Sequence, residues 1–158
     1  MKIYNTALVV VLCFHFIAGS SAFAGSLQDK NKKLVLTAFD EAFNKKDPGA
    51  YEKYWSPTYI QHSAHIPPGR EGLKTLITSL PKTLKYEHDM VFADGNYVIL
   101  HGRYSGNGDG KPPFIITDIL RVENGKLQEH WDVFEDEATR AQSKSGIPMF
   151  GTKFFGEY

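Results

Sequence analysis

The sequence is poor in several of the residues and patterns that commonly betray a function. A single cysteine, Cys13, stands among 158 residues, inside an apolar N-terminal stretch and without a small residue before it. Neither sign of charge dominates: 18 lysines and arginines face 18 aspartates and glutamates. That balance argues against a nucleic-acid-binding surface, which shows a basic excess or stripe. Missing too are the G-x-S-x-G nucleophile elbow, the phosphate-cradling G-x-x-x-x-G-K-[ST], a dinucleotide G-x-G-x-x-G after a strand, and H-E-x-x-H. The run Gly106-Asn-Gly-Asp-Gly110 sits between two strand-like segments and carries Asp109, which makes it a flexible hairpin loop and not a phosphate site.

One long hydrophobic run exists, from Ala7 to Ala18, preceded by Lys2 and followed by Ala22-Phe23-Ala24. A charged start, an apolar centre and an A-x-A end describe a secretory signal peptide, cleaved after Ala24. The apolar run is shorter than the ~20 residues that span a bilayer, and His15 interrupts it, so a membrane anchor is the lesser reading. Removing 24 residues, Lys2 and Cys13 leaves residues 25–158: a cysteine-free chain with 17 basic and 18 acidic side chains. Such a chain has no disulfides, thiol nucleophile or cysteine zinc site, and its stability rests on packing. With 42% hydrophobic and 13% aromatic residues it can bury enough apolar surface to offset chain entropy. Its length suits one domain, exported to the periplasm or the medium and free of the membrane once cleaved.

Along that domain the hydrophobic period changes once. Leu34, Val35, Ala38, Phe39, Ala42 and Phe43 recur at three- and four-residue steps, predicting a helix over Gln28 to Lys46 that Asp47-Pro48-Gly49 stops. Ala50 to Trp55 reads as a short second helix ended by Ser56-Pro57, and Tyr59 to His65 as an irregular or short extended connection. Leu73, Leu76, Ile77 and Leu80 mark a third helix, closed by Pro81. Then follow four segments rich in β-branched and aromatic residues, Glu87–Ala93, Tyr97–Ser105, Phe114–Val122 and Leu127–Phe134, joined by hairpin connections. Helices first and strands afterwards indicate an α+β domain, its antiparallel sheet covered by helices on one face. The tail from Glu135 has no periodicity that places it.

A cleft between helices and a curved sheet is where small-molecule sites lie, and alternate strand residues share a face. The row Phe114, Ile116, Asp118, Leu120, Val122 contains one charge, Asp118. A carboxylate in an apolar row must be neutral, hydrogen-bonded or matched by a cation. It is therefore either a general acid/base with a raised pKa or a structural residue tied to a turn or an arginine. On the next strand His101 and Arg103 share a face with Tyr97 and Ile99; they partner Asp118 if that face meets the pocket, and otherwise lie on the outer face or at a subunit contact. On the last strand Glu129 and Trp131 alternate with His130 and Asp132, and parity leaves open which row lines the pocket. His62, near Tyr59 in the loop expected at the pocket rim, can titrate near neutral pH. His62 and His65 stand three apart with no regular helix to align them, so no metal is expected.

Four segments, Tyr59-Ile-Gln-His62, Gly69-Arg-Glu-Gly72, Asp118-Ile-Leu-Arg121 and Gly125-Lys-Leu-Gln-Glu-His-Trp-Asp132, together resemble SnoaL-like proteins. These are a branch of the nuclear-transport-factor-2-like superfamily, and the likeness is to the subgroup related to aldol condensation and polyketide cyclisation. The likeness runs from the first helix to Phe150, where Met149-Phe150 is similar to that subgroup's closing motif. It implies a cone-shaped curved sheet with three N-terminal helices on its concave face, an interior pocket, and dimerisation through the sheet. It also implies cofactor-free chemistry in which an acidic residue moves a proton α to a carbonyl. By motif position Asp118 takes that role with His62 assisting, and Tyr59, His101, Arg103, His130, Trp131 and Asp132 are candidates for holding an apolar or carbonyl ligand. The competing expectations are a non-catalytic binding protein with the same pocket, and an epoxide or ester hydrolase that holds a water between Asp118 and Arg103.

Overall fold

The structure, a computed structural model, describes residues 20–157 except Asp109, with side chains from Leu27 onward. The expected leader thus lies, for residues 1–19, outside the described residues. The first helix, α1 (Ser20–Phe39), buries Val35, Ala38 and Phe39. It runs on into a π-helical turn, Asp40–Asn44, in which the Lys45 N–H reaches back to Asp40 O at 2.9 Å. A π turn inserts one residue into the helix. Here Ala42 and Phe43 stay buried beyond it, and Phe39 meets Phe43 edge-on at 5.2 Å. Asp47 ends the helix as its sequence suggests, its carboxylate accepting the Gly49 N–H at 2.8 Å. The helix is fixed to the sheet by Asn44, whose side chain exchanges two hydrogen bonds with the backbone of Tyr86, at 3.1 and 2.8 Å.

Next come α2 (Ala50–Tyr54), β1 (Trp55–Gln61), α3 (Gly69–Ser79), β2 (Lys85–Asp94), β3 (Tyr97–Ser105), β4 (Phe114–Glu123) and β5 (Lys126–Asp136). In α3 a Cβ at Gly72 would sit 1.9 Å from Pro67 O, so only glycine lets the helix start so close to the preceding prolines. The strands form one five-stranded sheet in the order β1-β5-β4-β3-β2. The expected four-strand meander is present in β2 to β5. The sheet is mixed, however, because β1 joins its edge parallel to β5. The short second helix expected up to Trp55 ends at Tyr54, Ser56-Pro57 lies inside β1 instead of terminating a helix, and the connection from Tyr59, expected to be irregular or short extended, is extended as far as Gln61. Proline is tolerated on an edge strand, and the β1 pairing is irregular between Trp55 and Ile60, the stretch that contains it.

The helices pack on one face of the curved sheet. Val98, Leu100, Leu120, Val122 and Leu127 point from the strands against Val35, Ala38, Phe39, Phe43 and Trp55, all of them buried. Opposite Arg121 and Val122 of β4, β5 carries an extra residue, Gln128, between the partners Glu129 and Leu127. This bulge breaks simple alternation: Leu127 shares the inner face with His130, Asp132 and Phe134. The tail after β5 folds over part of the outer face, where Phe150 lies 4.8 Å from the Arg103 guanidinium and 5.7 Å from the His101 ring. Phe154, 1% exposed, anchors its end. No helix among the described residues is long and apolar enough to cross a membrane.

Candidate functional site

Between the helices and the inner sheet face lies a cavity of about 250 Å³. That volume admits a ligand of one or two rings and little more. Its wall is mostly aromatic and aliphatic, with Phe39, Trp55, Tyr104, Phe114 and Leu73 contributing, and it contains Asp118, His130 and Asp132 among few polar groups. Each arrives there by strand register. Asp118 pairs with Leu100 on β3 and Asp132 on β5, and Leu120 pairs with His130, so the two β5 residues flank Asp118 on the inner face.

Asp118 is 2% exposed. Its Oδ1 lies 2.8 Å from His130 Nε2, and its Oδ2 is buried without a hydrogen-bond partner among the described residues. Burial pushes the Asp118 pKa up; the hydrogen bond and positive charge of His130 oppose that shift, and Asp132 adds to it. The other side of the imidazole is fixed by Gln61, whose Oε1 lies 2.8 Å from His130 Nδ1 and accepts the Ser63 backbone N–H at 3.0 Å. A backbone N–H can only donate, so the amide oxygen faces Ser63 and Nδ1 must carry a proton. One proton is then left for the Asp118–His130 contact: it rests on the carboxyl with a neutral imidazole, or on Nε2 as an ion pair. Gln61 Nε2 in turn donates to the Tyr59 hydroxyl at 3.2 Å. The Tyr59 phenol is 4% exposed and its pKa is raised chiefly by burial. It remains protonated with its own O–H unused among the described residues.

Of the residues named from sequence, Tyr59, Asp118, His130 and Asp132 come together in this cavity wall. The other four lie outside it. His62 donates its backbone N–H to His130 O at 2.9 Å, which extends the β1 ladder and sends its side chain to the opposite face. There it stacks on Trp131, ring centroids 4.7 Å apart and planes 4° apart, and its Nε2 lies 2.9 Å from Glu129 Oε1. This contact, with help from Arg121, holds the Glu129 carboxyl below its ordinary range. Trp131 is therefore an outer-face residue as well. His101 pairs with Asp89 at 2.7 Å and Arg103 with Glu87 at 2.6 Å, and Arg103 also lies 3.6 Å from the buried Glu137. The sheet separates Arg103 from Asp118, so the two cannot hold one water, and the hydrolase expectation fails on geometry. Gln61 was not singled out from sequence. The extended alternative for Tyr59 to His65 carries the signal: in it Gln61 shares parity with Tyr59 and so lies in the wall.

A SnoaL-like domain family model matches residues 36–130, a stretch that includes Tyr59, Asp118 and His130. No curated protein matches in sequence. Among solved structures, TsrD from Streptomyces laurentii is 20% identical, with a TM-score of 0.58 over 68% of this chain and 90% of its own. A candidate polyketide cyclase from Bacillus cereus is 19% identical, with a TM-score of 0.59 over 67% and 74%. A nuclear-transport-factor-2-like protein of unknown function from Burkholderia xenovorans is 22% identical, with a TM-score of 0.60 over 80% and 100%. Identities this low speak to the fold alone. The family match, which spans more than half of the chain, establishes that it belongs to the SnoaL-like domain family.

Proposed function

We propose that the cavity binds a small apolar carbonyl compound and that the Asp118–His130 pair moves a proton at its α carbon without a cofactor, as a cyclase, lyase or isomerase of the aldol type. One observation carries the reading: a carboxyl group in the wall of an apolar cavity has one oxygen held by an imidazole and the other without a protein partner. In the forward step the pair starts with its proton on His130 Nε2, and Oδ2 of the Asp118 carboxylate takes the α proton. The C–H bond breaks, an O–H bond forms, and the electron pair moves to the carbonyl oxygen as an enolate. The phenol of Tyr59, in the same cavity wall, donates to that oxygen in this reading. Low dielectric makes such a donor worth more than in water. Returning the proton to a carbon or oxygen of the product resets the pair. A carboxyl whose pKa burial raises above its ordinary value is better suited to take a proton and return it than an exposed one.

Thermal-shift screening against small ketones and keto-esters, followed by mass analysis of each compound that binds, tests this reading. Stabilisation with conversion is expected. Binding of many such compounds with no conversion of any would leave a carrier protein and end the enzymatic reading.

The reading includes export. Among the described side chains of α1, Leu27 is exposed and the first buried one is Asn31, which donates to Gly95 O at 3.1 Å; cleavage after Ala24 would leave that contact in place. The exported protein is expected to begin at Gly25, and an intact mass that retains residues 1–24 would contradict cleavage. It also includes a homodimer through the outer sheet face, where Phe92, Ile99 and Val133 are 62%, 38% and 72% exposed. Apolar surface gathered on one face marks an interaction site. Light scattering is expected to give twice the chain mass, and Phe92→Asp with Val133→Asp to give the single mass. A monomeric unsubstituted protein would refute the dimer.

A further inference from the structure

The second carboxylate of the cavity takes no proton in the transfer proposed above, though its charge adds to the upward shift of Asp118. Asp132 lines the cavity and is half-buried, and no hydrogen bond or ion pair engages it among the described residues. Its register partner across the strands is Asp118, whose Oδ2, on a side chain 2% exposed, also lacks a partner. No lysine or arginine is among the residues lining the cavity; its basic side chains are His65 and His130, and the latter is held by Asp118 and Gln61. Exposure along β5 rises from Leu127 and His130 through Asp132 to Phe134, 41% exposed, so Asp132 stands between the proton-transfer pair and the open end. Phe134, two residues further along the same face of β5, and Phe114 line the cavity with it, their rings 5.0 Å apart, and the His65 ring lies 4.8 Å from Phe134.

A carboxylate in an aromatic-lined cavity, with no lysine or arginine among the lining residues, is an environment that favours a positive charge. The rings attract a cation through their negative faces, and the carboxylate offers a charge-assisted hydrogen bond. The same arrangement repels an acid, which would have to enter a cavity that already holds a carboxylate and whose lining includes neither lysine nor arginine to pair with it.

We infer that Asp132 sets the ligand class of this cavity: apolar one- or two-ring compounds that carry a protonated amine, with carboxylic acids excluded. The inference rests on the reading of the cavity as a ligand site. It extends that reading from a bare apolar carbonyl compound to one bearing a basic nitrogen near the cavity mouth. Asp132 acts in binding and selection, and Asp118 keeps the proton transfer.

Three probes that share a skeleton separate these claims: 2-naphthylmethylamine, 2-naphthylmethanol and 2-naphthoate, titrated calorimetrically at pH 7.5 and low salt. The amine is expected to bind at least about tenfold more tightly than the alcohol, and the naphthoate more weakly than the alcohol. Asp132→Asn should bring the amine within about threefold of the alcohol and leave the alcohol unchanged, with Asp132→Ser as a second variant. An amine no tighter than the alcohol, or an amine preference that survives both substitutions, would overturn the inference while leaving the cavity reading standing. Failure of all three probes to bind would instead overturn the cavity reading itself.

Discussion

Asp118→Asn is expected to lower turnover of any substrate of the cavity by about 10²–10⁴-fold, the usual contribution of a positioned general acid/base, while the protein remains folded. Asparagine matches the shape of aspartate and can still hydrogen-bond His130, but it cannot accept a proton at the position of Oδ2. The same substitution should raise stability, and the sign follows from the direction of the shift. An unfolded aspartate ionises near pH ~3.9, whereas burial sets the Asp118 value higher in the folded protein. The folded state thus holds the proton more tightly than the unfolded chain. The stability from this group is complete below about pH 4 and is lost as pH rises through the folded value, each unit of difference being worth about 1.4 kcal/mol. Asp118→Asn carries no such penalty. Its advantage over the unsubstituted protein should grow from about pH 4 upward and level off above the folded pKa, as measured by urea unfolding at several pH values. An equal loss of stability at every pH would make Asp118 a structural residue.

Trp55→Ala is expected to cost about 3–5 kcal/mol, the range for removing a large aromatic side chain from a core. Trp55 is 1% exposed, stacks on Phe39 at 6.4 Å, and pairs in register with the fully buried Leu127. It also forms part of the cavity wall, so its loss enlarges an existing void that the surrounding sheet and helices cannot collapse to fill. Against a total stability of ~5–15 kcal/mol for a typical domain, the variant would lie close to unfolding at 37 °C. Urea denaturation measures this directly, and a cost below about 1 kcal/mol would mean that the first residue of β1 is not part of the core.

Much of this architecture is legible in the chain. The 3.6 and 2.0 periodicities are strong from Val35 to Phe43 and from Tyr97 to Val122, where one face of each element packs in the core, and the expected helix and meander are found there. Legibility fails where a local feature overrides period. Pro57 hides β1 because an edge strand tolerates a residue that a central strand does not. The extra residue Gln128 hides the inner face of β5, since a one-residue slip moves every later side chain to the other face. The same arithmetic explains His62: one residue beyond Gln61 on an extended segment, its side chain turns to Trp131 and Glu129 while Gln61 takes the position beside His130. Asp118 was readable as the one charge in an apolar row, but its partner was not. His130 pairs with it only through the β4–β5 register, which depends on that bulge.

The central claim is that Asp118 and His130 move a proton at an α carbon. Deuterium uptake tests it without knowledge of the natural substrate. A small cyclic ketone that binds the cavity is incubated with the protein in D₂O, and loss of its α-proton signal is followed by NMR. Exchange is expected to run well above the buffer rate with the unsubstituted protein, and to fall by about 10²-fold or more with Asp118→Asn. Exchange at the buffer rate for ketones that demonstrably bind, or an accelerated rate that Asp118→Asn leaves unchanged, would contradict the account.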